Sequence, residues 1–447
     1  MHRTSTLFPR IFVVLSLLAA STLIYGCGRF ASVFYNQKNP QALQQDSITA
    51  SGQSRTTIFF PENKANGIIK LAAVEPLGRM DSVTVEVPSE LSSQGGTFET
   101  PRKLYAPAGS KIEVFAWQLG KPGDMAYRAD GTIFVSDVEG GKINAISPAG
   151  KVSTVVDGLR YPYGLTLVDG ALYYVDETKA FRFDFSSPTS VAGASTLLTD
   201  RVPRGGDFYT RTIRYSKADE NFYISVSATN AVGEENDKEH ATVFRMKKEG
   251  GRPVRASFGG LRNTVGMDFH PATGDLWGVD QGLDDLSEWL APDEVNIIKI
   301  GKNYGHPYFY SQNYRNPKFE EVSEIRLPKN PVSPIIELWP YSETTDLKFY
   351  SGDAMGADWK NAALLVMRGY VTGSIARAQE ARTGFKVVRL RADEDGSNPR
   401  QADFISGWLN GKKEYWGRPS TITIAPNGKT FYVSDYENGV VYKVTAP

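Results

Sequence analysis

From about residue 111 onward, apolar and polar positions alternate in runs of four to seven residues. Examples are "KIEVFAW" (111–117), "GTIFVSD" (131–137), "ALYYVDE" (171–177) and "NFYISVS" (221–227). Period-two alternation places successive side chains on opposite faces, so these runs predict strands with one buried face. Gly, Pro, Asp and Asn bound the runs, as turns require. No long helical periodicity follows residue 30, which excludes a dinucleotide-binding α/β sheet and an (α/β) barrel. Two distant stretches match closely: "GTIFVSDVEGGKI" (Gly131 to Ile143) and "GKTFYVSDYENGVV" (Gly428 to Val441). Both read as strand, turn, strand. Weaker copies lie at 168–183, 217–230, 271–282 and 355–367, making six. Their spacing is roughly 40 to 80 residues, and one strand pair cannot bury its own face, so the repeat is a larger stacked unit. Four-stranded blades around a centre suit that period. The expectation is an all-β, six-bladed β-propeller of four-stranded antiparallel blades over 111–447. The hairpin near the C-terminus should share a sheet with 111–117. Two β-sandwich domains would compete, but the six-fold echo argues against them. The widest spacing, near 285–350, predicts loop insertions, which often build a binding face.

Composition narrows the function classes. The 447 residues carry 50 Lys plus Arg against 50 Asp plus Glu, and no Lys/Arg block occurs. That balance provides no field for nucleic acid or anionic lipid. The one cysteine, Cys27, excludes an intrachain disulfide framework. It lies directly after an apolar run, "IFVVLSLLAASTLI" (Ile11 to Ile24), which Arg3 and Arg10 precede. A positive flank, a short apolar run and a small residue are the features of an export signal. Ile24-Tyr25-Gly26-Cys27 resembles the lipobox of bacterial lipoproteins, whose cleavage leaves a lipid-modified first cysteine. The expected division is a signal peptide over 1–26, a polar tether and N-terminal extension over 27–110, and the propeller over 111–447. An uncleaved anchor and plain secretion stay open. Each of the three places the body outside the cytoplasm, and the lipoprotein reading attaches it to the membrane.

"GLRNTVGMDFHPATGDLWGVDQG" (260–282) followed by "PDEVNIIKIGKNYGHPYF" (292–309) resembles the glucose/sorbosone dehydrogenase family. So do "YPYGLTLVDGALYYVDE" (161–177), "TRTIRYSKADENFYISVSATN" (210–230) and "GRPSTITIAPNGKTFYVSD" (417–435). Characterised members are six-bladed propellers that use pyrroloquinoline quinone and calcium. The resemblance implies that Arg262 and Asn263 lie beside the quinone, with Arg368 and Arg418 facing it from later blades. The cofactor carries three carboxylates, and arginine pairs with a carboxylate through two parallel hydrogen bonds. The ordinary alternative is that Arg262 pairs with Asp280 or Asp284 and pins a loop. Gln281, Gly282 and Asp293 match the family's calcium loop, although "DQGLDD" lacks EF-hand spacing and its residues also suit a turn.

The match fails where the family carries its basic histidine. Here that segment reads "GGDFYTR" (205–211). The four histidines are His2, His240, His270 and His306, and none falls in it. Asp207 is the residue left to act as base, although a free carboxylate is a weaker base than imidazole at neutral pH. His270 belongs to a turn at a blade edge, His240 to an exposed charged loop, and His306 to a loop that would line a pocket. There is no C-x-x-C-H, so electrons would pass to a separate acceptor. The G-x-S-x-G and H-E-x-x-H motifs are also absent. Three readings remain: a quinone-dependent oxidoreductase acting on a sugar or alcohol, a non-catalytic carbohydrate- or protein-binding propeller, and a propeller lactonase or other hydrolase. Lipid contributes about 0.8 kcal/mol per buried CH₂ to membrane binding. Cys27→Ser should therefore move the protein out of the membrane fraction or leave the precursor unprocessed, while mass spectrometry should find acylated Cys27 in the wild type.

Overall fold

A computed structural model describes residues 43–48, 54–59, 68–282, 292–371, 383–410 and 414–447. Cys27 and the lipobox lie outside them. Five antiparallel sheets have four strands each. The first runs Pro122–Tyr127, Ile133–Asp137, Lys142–Ile146 and Val152–Val156. The second holds Leu165–Val168, Ala171–Val175, Ala180–Phe185 and Gly193–Thr199. The third holds Ile213–Ser216, Asn221–Val226, Thr242–Lys247 and Val254–Arg255. The fourth holds Thr264–Phe269, Leu276–Asp280, Glu294–Ile297 and Ile336–Glu337. The last joins Pro419–Ile424, Thr430–Asp435 and Val440–Thr445 to Lys111–Ala116.

The expectation of six four-stranded blades is thereby corrected to five. Strands Thr344–Phe349, Ala363–Met367, Lys386–Arg391 and Arg400–Ser406 do not end a blade; they continue into a ten-stranded sheet. Its other strands come from 27–110, the stretch expected to be tether and extension. Ala73–Val74 runs parallel to Arg400 and Gln401, and Tyr105 pairs with Ser406. The physical reason is an open edge. The backbone groups of Arg400–Ser406 would face solvent, and a neighbouring segment of the same chain covers them.

The repeated Val-Ser-Asp motif has a clear local cause. The first strand of a blade lies nearest the axis and breaks register beside the motif, between Pro122 and Met125 in one sheet and between Pro419 and Ile422 in another. The serine closes each break: Ser136 Oγ accepts from Asp124 N at 2.9 Å, and Ser434 Oγ accepts from Thr421 N at 3.1 Å. The aspartate then caps the chain entering the blade. Asp137 accepts from Lys121 N, Asp280 from Arg262 N and Asn263 N, and Asp435 from Arg418 N, all at 2.8–2.9 Å. Buried main-chain donors need such partners.

The expected closure is present: Val440–Thr445 pairs with Lys111–Ala116, with Val444 opposite Ile112. A separate apolar cluster packs each sheet on the next, as where Tyr173 and Val175 meet Phe222 and Ile224. The first strands of the five blades and Thr344–Phe349 touch one another around a ring. Charges fill its centre. The Arg214 guanidinium lies 2.8 Å from Asp124 and 3.8 Å from Asp346, and the Lys348 ammonium lies 3.3 Å and 3.6 Å from the same two carboxylates. Burial alone would raise Asp124, but Arg214 and Lys348 outweigh it and hold its carboxyl at about 2. Asp268, held by Phe349 N at 2.8 Å, is raised because burial outweighs the same two cations. Removing one member of a buried ion pair leaves its partner desolvated, at a cost of about 3–5 kcal/mol. Arg214→Met should lower the unfolding free energy by that amount, read in urea as a lower midpoint with an unchanged slope.

Candidate active site

One cleft of about 290 Å³ opens at the end of the ring where the chain enters the first strands. Aromatic side chains Tyr163, Phe208, Tyr209, Tyr341, Tyr370 and Tyr436 form much of its wall. Polar groups Asp207, Thr210, Asn263, Gln281, Asp293, Glu343 and Arg368 lie between them. Apolar faces with a few fixed polar groups are the usual composition of a small-molecule site.

The loop that carries Asp207 to Thr210 is shaped from beneath. Arg211 is fully buried and donates to the carbonyls of Thr210 at 2.8 Å and Pro203 at 2.9 Å. Burial lowers its guanidinium to about 10. Gly206 has φ 94°, and a Cβ there would lie 2.7 Å from Ala228 O, so the turn into Asp207 requires glycine. Asp207 is exposed at the rim, and its Oδ2 accepts from Ala231 N at 2.8 Å.

The Arg262–Asn263 pair divides between two tasks. Arg262 is buried and is not part of the cleft wall. Its Nε donates to Ala231 O at 2.8 Å, and its terminal nitrogen donates to Gln281 O at 3.2 Å and Gly282 O at 2.7 Å. The guanidinium also lies 4.9 Å from the centre of the Phe208 ring. Arg262 thus pins two loops through these carbonyls; the Asp280 carboxylate takes its main-chain N–H, and Asp284 lies outside the described residues. Asn263 does reach the wall. Its Oδ1 accepts from Ser227 at 2.7 Å, its Nδ2 donates to Gln281 Oε1 at 2.8 Å, and Gln281 Nε2 donates onward to Thr344 O at 3.2 Å.

Arg368 and Arg418 come together without Arg262, on a residue that sequence reading missed. Glu343 Oε1 lies 2.5 Å from Arg368, and Oε2 lies 2.5 Å from Arg418. Arg418 also donates to Gly369 O at 2.9 Å, and Arg368 lies over the Tyr436 ring at 4.8 Å. The Nε of each arginine is buried without a protein partner. Tyr436 donates to Glu139 at 2.9 Å; burial pushes its hydroxyl up to about 12, with Arg368 opposing.

Gln281, Gly282 and Asp293 do come together, each engaged with protein partners, while 283–291 of the same loop lie outside the described residues. The two loop carbonyls already accept from Arg262. Asp293 accepts from Gly282 N at 3.0 Å, Thr344 N at 2.7 Å and Ser342 Oγ at 3.1 Å. No group of three or more His, Cys, Asp or Glu among the described residues is placed to hold a metal.

The histidines are elsewhere. His306 is buried off the wall, where burial, with Arg262 adding to it, lowers its imidazole to about 3. His270 accepts from Ala272 N and Thr273 N in its turn and stacks on Trp277. His240, expected at the surface, is buried with Nδ1 3.0 Å from Asp237.

Comparison with known proteins agrees with the sequence resemblance. Residues 189–383 match the Glucose / Sorbosone dehydrogenase family. All the cleft residues except Val138, Tyr163 and Tyr436 fall within that segment. That segment of the chain is similar to this family. An uncharacterized protein of Borreliella burgdorferi is 24% identical over 370 residues, covering 77% of this chain and 92% of that protein. The holo pyranose dehydrogenase PQQ domain of Coprinopsis cinerea superposes with a TM-score of 0.61 at 15% identity, covering 83% of this chain and 100% of its own. The soluble aldose sugar dehydrogenase of Escherichia coli, in its apo form, gives 0.56 at 16% identity, covering 76% and 100%. These likenesses concern the fold.

Asp280 and Asp293 are both raised to about 6, because burial outweighs their hydrogen bonds. The unfolded carboxyl titrates near 4, so the folded protein binds these protons more tightly. Each group's contribution is therefore most favourable below about pH 4 and declines as pH rises to about 6, by on the order of 3 kcal/mol. Asp293→Asn should lose less stability than the wild type between those two pH values in urea unfolding.

Proposed function

We propose that the cleft is the active site of a quinone-linked oxidoreductase acting on a sugar or another alcohol. The observation that carries this reading is a pair of arginines with buried, unpartnered Nε donors, of which Arg368 lines an aromatic cleft and Arg418 lies behind it, joined through Glu343. Buried donors rarely stay unpaired without a functional reason. Their chemistry suits a carboxylate-bearing planar cofactor such as pyrroloquinoline quinone. Arg368, Arg418 and Asn263 would hold its polar edge, and the tyrosines would cover its faces. When bound, such a quinone accepts the hydride that leaves the substrate carbon.

The chain's own residues handle the proton. Asp207 is the carboxylate on the rim, and its Oδ1 has no protein partner among the described residues. It takes the hydroxyl proton as the C–H pair of electrons departs. Gln281 and Asn263, fixed across neighbouring sheets, orient substrate oxygens. Calcium is given no step, because the residues matched to it are engaged elsewhere. Electrons would then leave to a separate acceptor. Export and acylation at Cys27 remain part of the proposal.

A second reading, a carbohydrate-binding propeller without turnover, is favoured by one fact: no histidine lies on the cleft wall among the described residues. The hydrolase reading would need axis carboxylates directed at a metal, whereas Asp124 and Asp346 face Arg214 and Lys348.

Purified protein should be titrated with pyrroloquinoline quinone, with and without calcium, while cofactor absorbance and aldose- or alcohol-dependent dye reduction are followed. Binding with turnover is expected. Sugar binding without quinone binding would establish the second reading instead. Asp207→Asn should retain cofactor absorbance and lose turnover by about 10²–10⁴-fold, the usual contribution of a positioned base. Unchanged turnover would remove Asp207 from the mechanism.

A further inference from the structure

We infer that Glu343 is an internal counter-anion that determines which ligands the cleft accepts, because a carboxylate ligand must compete with it for Arg368 and Arg418. This rests on reading the cleft as a small-molecule site, and it deepens that reading by naming the residue that sets selectivity between anionic and neutral ligands.

The geometry is unusual for an ion pair. Arginine generally meets a carboxylate with two parallel N–H groups. Here a single carboxylate is divided, with Oε1 to one guanidinium and Oε2 to the other, both at 2.5 Å. Neither Nε takes part, and both are buried. Arg368 and Glu343 line the cleft and Arg418 lies behind them, so a ligand carboxylate would meet the pair at Arg368, while Glu343 offsets one of the two charges. The three side chains are only 8–18% exposed, so screening by water and salt is weak. Glu343 is also held in place by its backbone. Its φ is 47°, in the left-handed region that non-glycine residues seldom adopt, and its carbonyl accepts from Arg368 N at 3.1 Å. Thr344 N, on the next residue, is fixed by Asp293 at 2.7 Å. The carboxylate is thus presented to the arginines rather than left to solvent. A neutral polyol meets no such competitor.

The test measures binding and needs no turnover. Wild type and Glu343→Gln are titrated calorimetrically with citrate, with pyrroloquinoline quinone and with glucose. Glu343→Gln should bind both anions at least about ten-fold tighter, the low end for a hydrogen bond to a charged group. Glucose affinity should not show that gain. Adding Arg368→Gln to that variant should abolish the gain. Equal or weaker binding of both anions by folded Glu343→Gln would overturn the inference. If that variant does not fold, Glu343→Asp, too short to span both arginines, should show the same direction, and no gain there would overturn it. Two outcomes separate this inference from the oxidoreductase reading. Tighter citrate with no quinone binding in any variant sustains the role of Glu343 and ends the quinone reading. Equal quinone affinity with dye reduction in both proteins does the reverse.

Discussion

The ion cluster on the axis is the constraint on which the rest of the molecule depends. Asp124, Arg214, Asp268, Asp346 and Lys348 come from the first strands of different sheets and meet in a space shielded from water. Each charge is tolerable there only while its partners stay in register. A slip of one residue in any of these strands would turn the charge into an apolar interface between sheets. The cluster therefore sets how deep each first strand sits and how far apart the sheets stand. The cleft above inherits those dimensions, since Asn263, Gln281 and Thr344 bridge the same strands a few residues higher.

Cations at the cleft end follow a different logic. Lys121, Arg262 and Arg418 occupy matching places, each with its main-chain N–H capped by the aspartate of the repeated hairpin. That shared cap leaves the side chains free to diverge. Arg262 is used to tie loops together, and Arg418 to meet Glu343. The repeated hairpin accounts for the placement of these positions, whereas their partners account for what each one does in this chain. The same residue type at the same place in a blade can be scaffold or ligand contact, and the hydrogen bonds of its guanidinium decide which.

Local features were legible in the sequence, and dispersed ones were not. The hairpins could be read because alternation, turn residues and the Val-Ser-Asp step all lie within about a dozen residues, and each step has a local hydrogen-bonding cause. Pairing of the C-terminal hairpin with 111–117 followed from the same echo. Arg368 and Arg418 were found through the family resemblance, but their partner was hidden. Glu343, in "WPYSETTD", resembles an ordinary polar turn, and nothing nearby in sequence signals two arginines. The axis charges were equally silent, since a lone Asp or Arg within a strand normally marks the solvent face. Six four-stranded blades were expected because the loose hairpin copy at 355–367 completed a set of six; that its sheet continues depends on its edge, which a hairpin echo does not describe. His240 misled for a related reason: its charged neighbours face outward while the imidazole turns inward.

The strand Lys111–Ala116 closes the last sheet with a partner from the far end of the propeller sequence. Such a contact forms only after nearly the whole domain is available, and its loop-closure entropy comes on top of every earlier pairing. Folding dominated by pairings this distant is slow compared with helical proteins of equal stability. During synthesis the first sheets can assemble in order, but the ring stays a crescent until the final hairpin arrives. Throughout that interval Lys111–Ala116 and the outer face of the first blade lack their partners, so the nascent protein carries a sticky edge for most of its time on the ribosome.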